Sequence, residues 1–429
     1  MTLSPPAPRL AAPEARALLS LEEAARSVLS RCARLAPRRV ATSAAAQLVL
    51  AEQIVACEDV PAFANSAMDG YALRAGDASA PPVRLEVVEA VMAGEVPSGE
   101  LRAGQAARIM TGAPLPAGAD AVCPFEQARE EGPGVIVVEQ PLHAGANVRS
   151  PGEDVAAGEV VFAPGELLGP AALGVLASLG VAEVLAHPLP VVGVASTGDE
   201  LVEGPSFRPP GKIRDANRPA LLAALSAAGF PTRDLGIVPD DVGALTTALA
   251  AAATSCDAVV VSAGVSAGDR DLVGAALRRL CGGDLDELAV ALRPGKPLAV
   301  GRLGSGPPVI GLPGNPVAAM VGLELLVLPA LRQMAGRAVL RAPLLAATTD
   351  VEIARRADGR VHVVPAQAVL DEEGRLHVVA LGARGSHQLR SLALANVLAV
   401  LADGEGLRAG DALRVLVRGD VPPAATVRG

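Results

Sequence analysis

The sequence predicts a multidomain α/β plus β protein built around a central, doubly wound α/β domain. Between residue 190 and about residue 330, short Val-rich runs alternate with helical segments, and each run breaks into a loop rich in Gly, Ser, Asp, Asn or Lys. Short, unbroken apolar runs of this kind are typical of buried parallel strands. Strand-like runs separated by polar turns fill residues 83–149 and the chain beyond residue 337, which predicts a β-rich domain on either side.

Length and composition are those of a folded protein with several domains. At 429 residues the chain is too long for one ordinary domain, so three or four are expected. A hydrophobic content of 51% with 19% charged residues favours folded cores over disorder. Five widely spaced cysteines without a CxxC spacing disfavour both a disulfide framework and a zinc site.

The net charge and the hydropathy of the chain limit which ligands and which cellular location can be expected. A net charge of −9 disfavours a nucleic-acid-binding protein, but it is compatible with a small anion held by local Arg, Lys and amide groups. No run of eighteen apolar residues occurs, and the start of the chain lacks a secretion-signal pattern. We therefore expect no membrane segment and a cytoplasmic location.

Helices are predicted near the start and in the middle of the chain. Ser20 is the expected N-cap of a helix that extends to about Leu35, with two glutamates in its first turn. A second helix is predicted over residues 43–55, and a short one over residues 170–179 within a connector.

The loop around Asn65 is predicted to present polar side chains. A Pro and a Phe precede Asn65 and Ser66, and Asp69 opens an acidic turn before the next apolar run. A rigid polar loop of this kind suits ligand binding, while an ordinary Asp-Gly turn is the alternative. After the strand that contains Arg108, Thr111 can offer a hydroxyl and amides to a phosphate.

Loops that follow the central strands contain further candidates, because ligands of doubly wound sheets bind at the carboxyl ends of the strands. Gly198 and Glu200 follow the first strand, and Asn217 lies near the start of a helix beside two arginines, which suits an anion. Asp240 and Asp241 open the next helix, where N-capping alone could explain them.

Residues 262–271 have the composition of an amide nest with an acidic flank. The segment is not Gly-x-Gly-x-x-Gly, and the chain contains no Gly-x-x-x-x-Gly-Lys-Ser/Thr, so neither a dinucleotide fold nor a P-loop ATPase is indicated. Lys212 and Lys296 are the only lysines, and both lie in such polar loops, which favours a functional role for them.

Seven motifs follow one another along nearly the whole chain: NSAMDGYA (65–72), RIMTGAP (108–114), GED (152–154), STGDEL (196–201), PGKP (294–297), GLPGNP (311–316) and GSH (385–387). In this order they closely resemble the molybdopterin molybdenumtransferase family of the MoeA type, to which the C-terminal domain of gephyrin also belongs. One such motif would be weak, whereas seven in sequence are specific.

The resemblance implies a reaction and an assembly. Molybdate would be inserted into the dithiolene of adenylylated molybdopterin, and the phosphoanhydride would be hydrolysed to release AMP and molybdenum cofactor. The subunits would form an elongated homodimer, with the active cleft between the central α/β domain of one chain and the β-rich domain of the other. A transient contact with molybdopterin adenylyltransferase is also expected.

The implied domains have the following boundaries. The central molybdopterin-binding α/β domain would comprise residues 14–36 and 190–338, and a connector would comprise residues 37–55 and 159–189. A β-rich domain would span residues 56–158, and a C-terminal β-barrel would span residues 339–429.

The resemblance also assigns roles to individual residues. The implied catalytic residues are Asp69, Thr111, Asp154, Glu200 and Lys296. The implied substrate-binding residues are Asn65, Ser66, Arg108, Gly198, Asn217, Asp240, Ser262, Gly264, Ser266, Arg293, Pro313, Gly314, Asn315 and Ser386. Asp69, Glu200, Asp240 and Asp271 would crowd negative charge around a pyrophosphate unless a divalent cation lay between them, so Mg²⁺ is the expected cofactor.

Some positions depart from the family pattern. Relatives commonly have lysine where this chain has Ala289, and they often have lysine where it has Arg293.

Other functions stay open. The alternatives are the related adenylyltransferase, a molybdopterin-binding scaffold without turnover, and a tungstate-handling paralogue. The scaffold has no use for the carboxylate set, while nothing in the sequence separates tungstate from molybdate.

Overall fold

The computed structural model describes residues 17–205, 207–263, 272–381 and 387–424. Contacts among these residues divide the chain into two compact units. The first contains the described residues up to Arg38, Gln47–Val49 and those from His187 onward, and the second contains Arg39–Ala46 and Leu50–Ala186. The four domain ranges given above remain a prediction.

The elements of both units are as follows. The helices are α1 (Leu21–Arg31), α2 (Pro170–Ser178), α3 (Asn217–Ala227), α4 (Val242–Ala252), α5 (Leu272–Cys281), α6 (Pro316–Gly322), α7 (Leu328–Met334) and α8 (Leu389–Leu394); a π-helical segment, Leu323–Val327, joins α6 to α7, and short 3₁₀ helices span Thr42–Ala44 and Phe125–Gln127. The strands are β1 (Arg38–Ala41), β2 (Val49–Leu50), β3 (Ile54–Val55), β4 (Asn65–Ser66), β5 (Gly70–Leu73), β6 (Val83–Val91), β7 (Gln105–Ile109), β8 (Ala121–Pro124), β9 (Ala128–Glu130), β10 (Val135–Val138), β11 (Val148–Arg149), β12 (Val160–Phe162), β13 (Glu183–His187), β14 (Val192–Thr197), β15 (Leu201–Val202), β16 (Ile213–Arg214), β17 (Thr232–Val238), β18 (Ala258–Ala263), β19 (Leu285–Ala289), β20 (Leu292–Arg293), β21 (Pro297–Arg302), β22 (Pro308–Pro313), β23 (Leu344–Thr349), β24 (Val361–Leu370), β25 (Leu376–Ala380), β26 (Val397–Leu401) and β27 (Ala412–Val417).

The first unit contains the predicted α/β sheet, in the order β17-β14-β18-β22-β21-β19. Strands β14, β18 and β22 are parallel, as expected from their short apolar runs, and β17 joins them as a further parallel strand. The apolar run Leu298–Val300 in β21 lies in the stretch whose runs were predicted to be parallel strands, and for it the prediction was wrong, because β21 pairs antiparallel with both β19 and β22. A turn in which Leu303 N donates to Pro307 O joins β21 to β22, and so short a connection can join only antiparallel strands.

The predicted C-terminal barrel is present in the same unit. Strands β24, β25, β23, β27 and β26 pair in that order, and a β24–β26 pairing closes the ring. The short strand β20 adds to it through the pair Leu292 and Val361. Barrel residues Val363 and Leu398 belong to the same buried cluster as Val260 of the α/β sheet. The sheet and the barrel therefore share one hydrophobic core.

An apolar helical stretch, Pro316–Met334, lies within this core. Among the described residues it alone is long and apolar enough, on length and composition, to cross a membrane, and 78% of it is buried inside the protein. A core helix has this same composition, so the stretch is weak evidence for a membrane span.

The second unit is β-rich, as predicted. Its main sheet has the order β8-β5-β7-β6-β10-β9, and Leu85 and Ile136 are among its fully buried side chains. At Gly70, strand β5 approaches β8 so closely that a Cβ atom would lie 2.0 Å from the carbonyl oxygen of Cys123. Only glycine fits this position, which leads from the Asp69 turn into the sheet.

Predictions for the N-terminal region were partly right. Ser20 caps α1 in a capping box with Glu23, as expected. The helix predicted over residues 43–55 was wrong, because Gln47 has a φ of +65° and β2 and β3 follow it. Strand β3 pairs with β12, more than a hundred residues later, and such a distant partner overrides local helix propensity.

A histidine in the barrel joins two loops through acidic partners. The Nδ1 atom of His377 lies 2.8 Å from Asp350 Oδ1, and its Nε2 atom lies 3.3 Å from Asp371 Oδ2. Hydrogen bonding to Asp350 is the main reason that the pKa of His377 is raised. Although burial acts in the opposite direction, hydrogen bonds from Arg375 lower the pKa of Asp371 to about 2, so its carboxylate stays ionised in mild acid.

This arrangement predicts a pH-dependent contribution to stability. Because the folded-state pKa of His377 lies above the unfolded one, the stabilisation is complete below the unfolded pKa and is lost as pH rises through the folded pKa. We expect His377→Gln to lower the melting temperature at about pH 5.5 and to have little effect near about pH 9, as measured by calorimetry. An equal effect at both pH values would contradict this role.

Candidate active site

Polar side chains meet at the carboxyl edge of the α/β sheet. The side-chain amide of Asn217, in the first turn of α3, donates to Ser262 Oγ at 2.7 Å and to Gly314 O at 2.8 Å. Ser262 belongs to β18, and Gly314 follows β22. Asn217 therefore ties together the ends of two neighbouring strands and does not cap its own helix.

A buried ion pair between Asp215 and Arg218 flanks Asn217 in the chain. The side chains of Asp215 and Arg218 are 1% and 3% exposed, and Arg218 Nε donates to Asp215 Oδ2 at 3.0 Å. Asp215 Oδ1 also accepts hydrogen bonds from the hydroxyl of Ser196 and from the backbone N–H groups of Asn217 and Arg218. Arg218 bonds in addition to Asp234. The two arginines beside Asn217 were predicted to suit an anion, but Arg218 is instead bonded to these carboxylates.

The two aspartates at the start of α4 have different partners. Asp241 is the N-cap, and its carboxylate accepts from the N–H of Ala244 at 2.7 Å. Asp240 instead accepts from the hydroxyl of Thr197 at 2.8 Å and from the N–H of Asp199 at 3.3 Å. N-capping thus explains Asp241, while Asp240 follows β17 and is bonded to Thr197 at the end of β14, the position expected of a ligand-binding residue.

Glu200 lies at the same edge of the sheet. Its carboxylate folds back over Gly198, so that a Cβ atom on this glycine would lie 2.6 Å from Glu200 Oε2. Gly198 also has a φ of +151°, a conformation that favours glycine. Gly198 therefore leaves room for the carboxylate of Glu200.

A cavity of about 460 Å³ lies where the β20–β21 turn and the start of α6 approach strand β24 of the barrel. Its cationic lining residues are Arg293, Lys296 and Arg360, and His362 joins them. Pro294, Gly295, Pro313, Asn315 and Val317 also line it. Three permanent positive charges around one small cavity suit an oxyanion.

Asp358 lies behind these cations. Its carboxylate accepts from His362 Nε2 at 2.9 Å and from Arg293 Nη1 at 3.2 Å, and Arg360 Nε lies 3.9 Å away. The hydrogen bond from His362 is the main reason that the pKa of Asp358 is lowered. Arg360 and His362 were not among the predicted site residues; the only sequence signal was their position just after an Asp-Gly turn.

In the second unit, the predicted pair of Asp69 and Thr111 is joined directly. The N–H and the hydroxyl of Thr111 both donate to Asp69 Oδ1 at 2.7 Å. These bonds, the backbone one foremost, lower the pKa of Asp69. The exposed carboxylate of Asp69 is therefore held in its ionised form.

Asn65 and Ser66, the polar tip before Asp69, were predicted to present their side chains, but both residues are buried. Asn65 is 5% exposed and Ser66 is fully buried, with its hydroxyl donating to Met68 O at 2.5 Å. Asn65 Nδ2 donates to Phe63 O, while Asn65 Oδ1 is buried without a hydrogen-bond partner among the described residues. Backbone pairing with residues 113–115 draws this tip inward.

A second cavity in this unit, of about 420 Å³, brings Asn65 and Asp154 together with Arg149 and Glu153. Arg108 lies elsewhere, with its guanidinium 5.1 Å from the ring centroid of Phe125. The structure thus groups Asn65 with Asp154 but packs Arg108 against an aromatic side chain.

Within the part of the chain that the structure describes, the four predicted metal ligands are not all brought together. Glu200 and Asp240 lie at one sheet edge, Asp69 belongs to the second unit, and Asp271 lies outside the described residues. Gly264, Ser266 and Ser386 lie outside them as well. Within the described ranges, no group of three or more His, Cys, Asp or Glu side chains could hold a metal ion.

Three family models match the chain in succession. The MoeA N-terminal region (domains I and II) matches residues 19–180, a probable molybdopterin-binding domain matches residues 193–333, and the MoeA C-terminal region (domain IV) matches residues 352–417. The cationic cavity is thus lined by residues from the second and third matched regions.

Curated relatives and a solved structure agree with these matches. The chain is 36% identical to "Molybdopterin molybdenumtransferase" of Haemophilus influenzae, over 86% of this chain and 91% of that protein. It is 38% identical to "Molybdopterin molybdenumtransferase 2" of Mycobacterium tuberculosis, over 92% and 98%. The crystal structure of the molybdopterin biosynthesis MoeA protein of Pyrococcus horikoshii OT3 is similar with a TM-score of 0.77 and 29% identity, over 94% of this chain and 100% of that one. The chain therefore belongs to the MoeA family of molybdenum cofactor biosynthesis.

Proposed function

We propose that this chain inserts molybdate into adenylylated molybdopterin and releases AMP as the phosphoanhydride is hydrolysed. Membership of the MoeA family makes the chain a transferase of molybdenum cofactor biosynthesis. The observation that supports the specific reaction is the cavity of about 460 Å³, whose lining has three positive charges with the single negative charge of Asp358 close to them, and so a net charge opposite in sign to that of a tetrahedral dianion.

In this proposal the cavity binds molybdate. Lys296 supplies a compact positive charge, and the guanidinium groups of Arg293 and Arg360 supply planar pairs of N–H donors. Because β20 belongs to the barrel sheet and β21 to the α/β sheet, the turn between them holds Arg293 and Lys296 on a rigid support. This support keeps the backbone of both cationic residues beside one cavity before the oxyanion binds.

Polar and acidic side chains outside the cationic cavity are proposed to bind and act on the phosphate groups of the substrate. Asn217 donates both of its amide hydrogens to Ser262 and Gly314, so its proposed role is to hold Ser262, whose hydroxyl would donate to the molybdopterin phosphate. Asp69, kept ionised by Thr111, is proposed to act on the reacting phosphate group, and Asp154 to act beside Asn65.

Mg²⁺ is the proposed cofactor. Magnesium is commonly bound through one or two carboxylates together with substrate phosphates, and the oxygen donors of Glu200 and Asp240 fit that pattern. When bound, the ion would supply Lewis-acid stabilisation of charge on the phosphate oxygens. Asp69 and Asp271 are proposed as further ligands.

The remaining parts of the proposal concern partners and location. We propose a homodimer, a transient contact with molybdopterin adenylyltransferase, and a cytoplasmic location, with neither nucleic acid nor membrane as a partner. A scaffold without turnover is the alternative, and a preference for tungstate is another, because tungstate has the same charge and shape as molybdate.

The reaction is tested by incubating the purified protein with adenylylated molybdopterin, Mg²⁺ and increasing molybdate, while AMP is measured by chromatography. We expect AMP release that requires molybdate and falls by about 10²-fold or more in Asp69→Asn, because the amide cannot replace the ionised carboxylate. Thr111→Val should show a smaller loss, since it removes one of the two bonds to Asp69. Substrate binding without AMP release would instead support the scaffold.

A further inference from the structure

The carboxylate of Asp358 opposes the charge of the cationic cavity. It lies within 4 Å of nitrogen atoms of Arg293, Arg360 and His362, all of which line that cavity. Asp358 itself lines an adjoining cavity of about 600 Å³, together with Arg293 and His362. An anion in the first cavity would therefore contact the lining cations directly, and it would also be repelled by the negative charge of Asp358 next to them.

The barrel fixes the location of this carboxylate. The N–H groups of Asp358 and Gly359 both donate to Asp403 Oδ1, at 3.1 and 3.0 Å. The side chain of Asp358 is 25% exposed, and that of its partner His362 is 11% exposed. Asp358 is thus held by the barrel beside the cations that line the first cavity, although it does not line that cavity itself.

Two opposite effects of Asp358 on an oxyanion need to be weighed. It could orient Arg293, or it could weaken anion binding through its charge. Arg293 makes one bond of 3.2 Å to Asp358, and its side chain is 63% exposed, so most of its N–H donors stay available and its orientation is only loosely set. The charge of Asp358 acts on a dianion wherever Arg293 points, so the electrostatic effect is the larger one.

We propose that Asp358 is an affinity-setting residue for the oxyanion: it holds the binding of molybdate below the level that Arg293, Lys296 and Arg360 would otherwise give. This inference rests on the proposed function of the cavity. Binding a substrate tightly without stabilising its transition state does not raise turnover, so a counter-charge that lets molybdate leave for the dithiolene favours transfer.

The test is isothermal titration of molybdate into the full-length protein, in buffer free of phosphate and sulfate. We expect Asp358→Asn to bind molybdate about three- to tenfold more tightly than the parent protein at low salt, the range for one unit charge near a dianion. The gain should shrink in about 0.5 M NaCl, because salt screens the repulsion. Asp358→Glu, which keeps the charge, should bind like the parent.

The control is Asp371→Asn, which removes a carboxylate of the same barrel that is paired with Arg375 and His377, neither of which lines the cavity. We expect its affinity for molybdate to stay within about twofold of the parent. If Asp358→Asn binds equally or more weakly while Lys296→Ala still abolishes binding, the inference is wrong and the cavity assignment stands. If Lys296→Ala leaves binding unchanged, the cavity is not the molybdate site and both ideas fail.

Discussion

Replacing Arg218 with methionine is expected to lower the free energy of unfolding by about 3–5 kcal/mol, because removal of one partner leaves a buried charge without compensation. Arg218 is 3% exposed on its side chain and is bonded to Asp215, whose side chain is 1% exposed, and to Asp234. Asp215 would keep its bonds from Ser196 and the start of α3, which favours the lower end of this range. The measurement is urea unfolding followed by circular dichroism.

Replacement of an exposed arginine is a matched control, because it removes the same charge without the burial. Arg278 is bonded to Glu287 near the surface and is 53% exposed. We expect Arg278→Met to cost less than about 1 kcal/mol, as exposed ion pairs do. Similar losses in the two variants would show that the Arg218 cluster contributes no more than a surface pair. Because Asn217 follows Asp215 and precedes Arg218 in the chain, the first variant should also weaken substrate binding.

Lys296→Ala is expected to have the largest effect on activity among the cavity variants. Lys296 lines the cavity and is exposed, whereas Arg293 is partly engaged by Asp358. Loss of one preorganised charge-stabilising donor commonly costs about 10²–10³ in rate, and we expect a fall of this size in kcat/KM for molybdate-dependent AMP release. Steady-state kinetics with molybdate as the varied substrate measures it.

Two further variants make this prediction specific. Lys296→Arg should recover only part of the activity, because a planar guanidinium differs in shape from a compact ammonium. Arg375→Ala, which removes an arginine that is 70% exposed and paired with Asp371, should leave kcat/KM close to that of the parent. An equal loss in Arg375→Ala and Lys296→Ala would mean that general charge, and not the cavity, controls the rate.

The edge of the sheet where the site lies could be predicted from the sequence. Val-rich runs that break into polar loops locate strand ends, and Glu200, Asn217 and Asp240 do lie at those ends in the structure. Sequence alone left open whether Asp240 or Asp241 only caps α4. The geometry resolves this, since Asp241 accepts from Ala244 N and Asp240 accepts from the Thr197 hydroxyl.

Other features depend on partners that are distant in the chain. The position of Arg218 beside Asn217 did not show that it is buried in an ion pair, and nothing local showed that Arg360 lines a cavity, because both properties arise only after folding. The antiparallel direction of β21 and the burial of Asn65 likewise follow from pairing with remote segments. Local propensity has no access to such contacts.

The most direct test of the proposed molybdate insertion is reconstitution of a cofactor-free molybdoenzyme with the product of this protein. Adenylylated molybdopterin, Mg²⁺ and molybdate would be supplied, and both AMP and the recovered enzyme activity would be measured in the same sample. We predict that activity and AMP appear together, only when molybdate is present, and that both are lost in Asp69→Asn and Lys296→Ala. AMP release without recovered activity, or recovery that is unchanged in both variants, would contradict it.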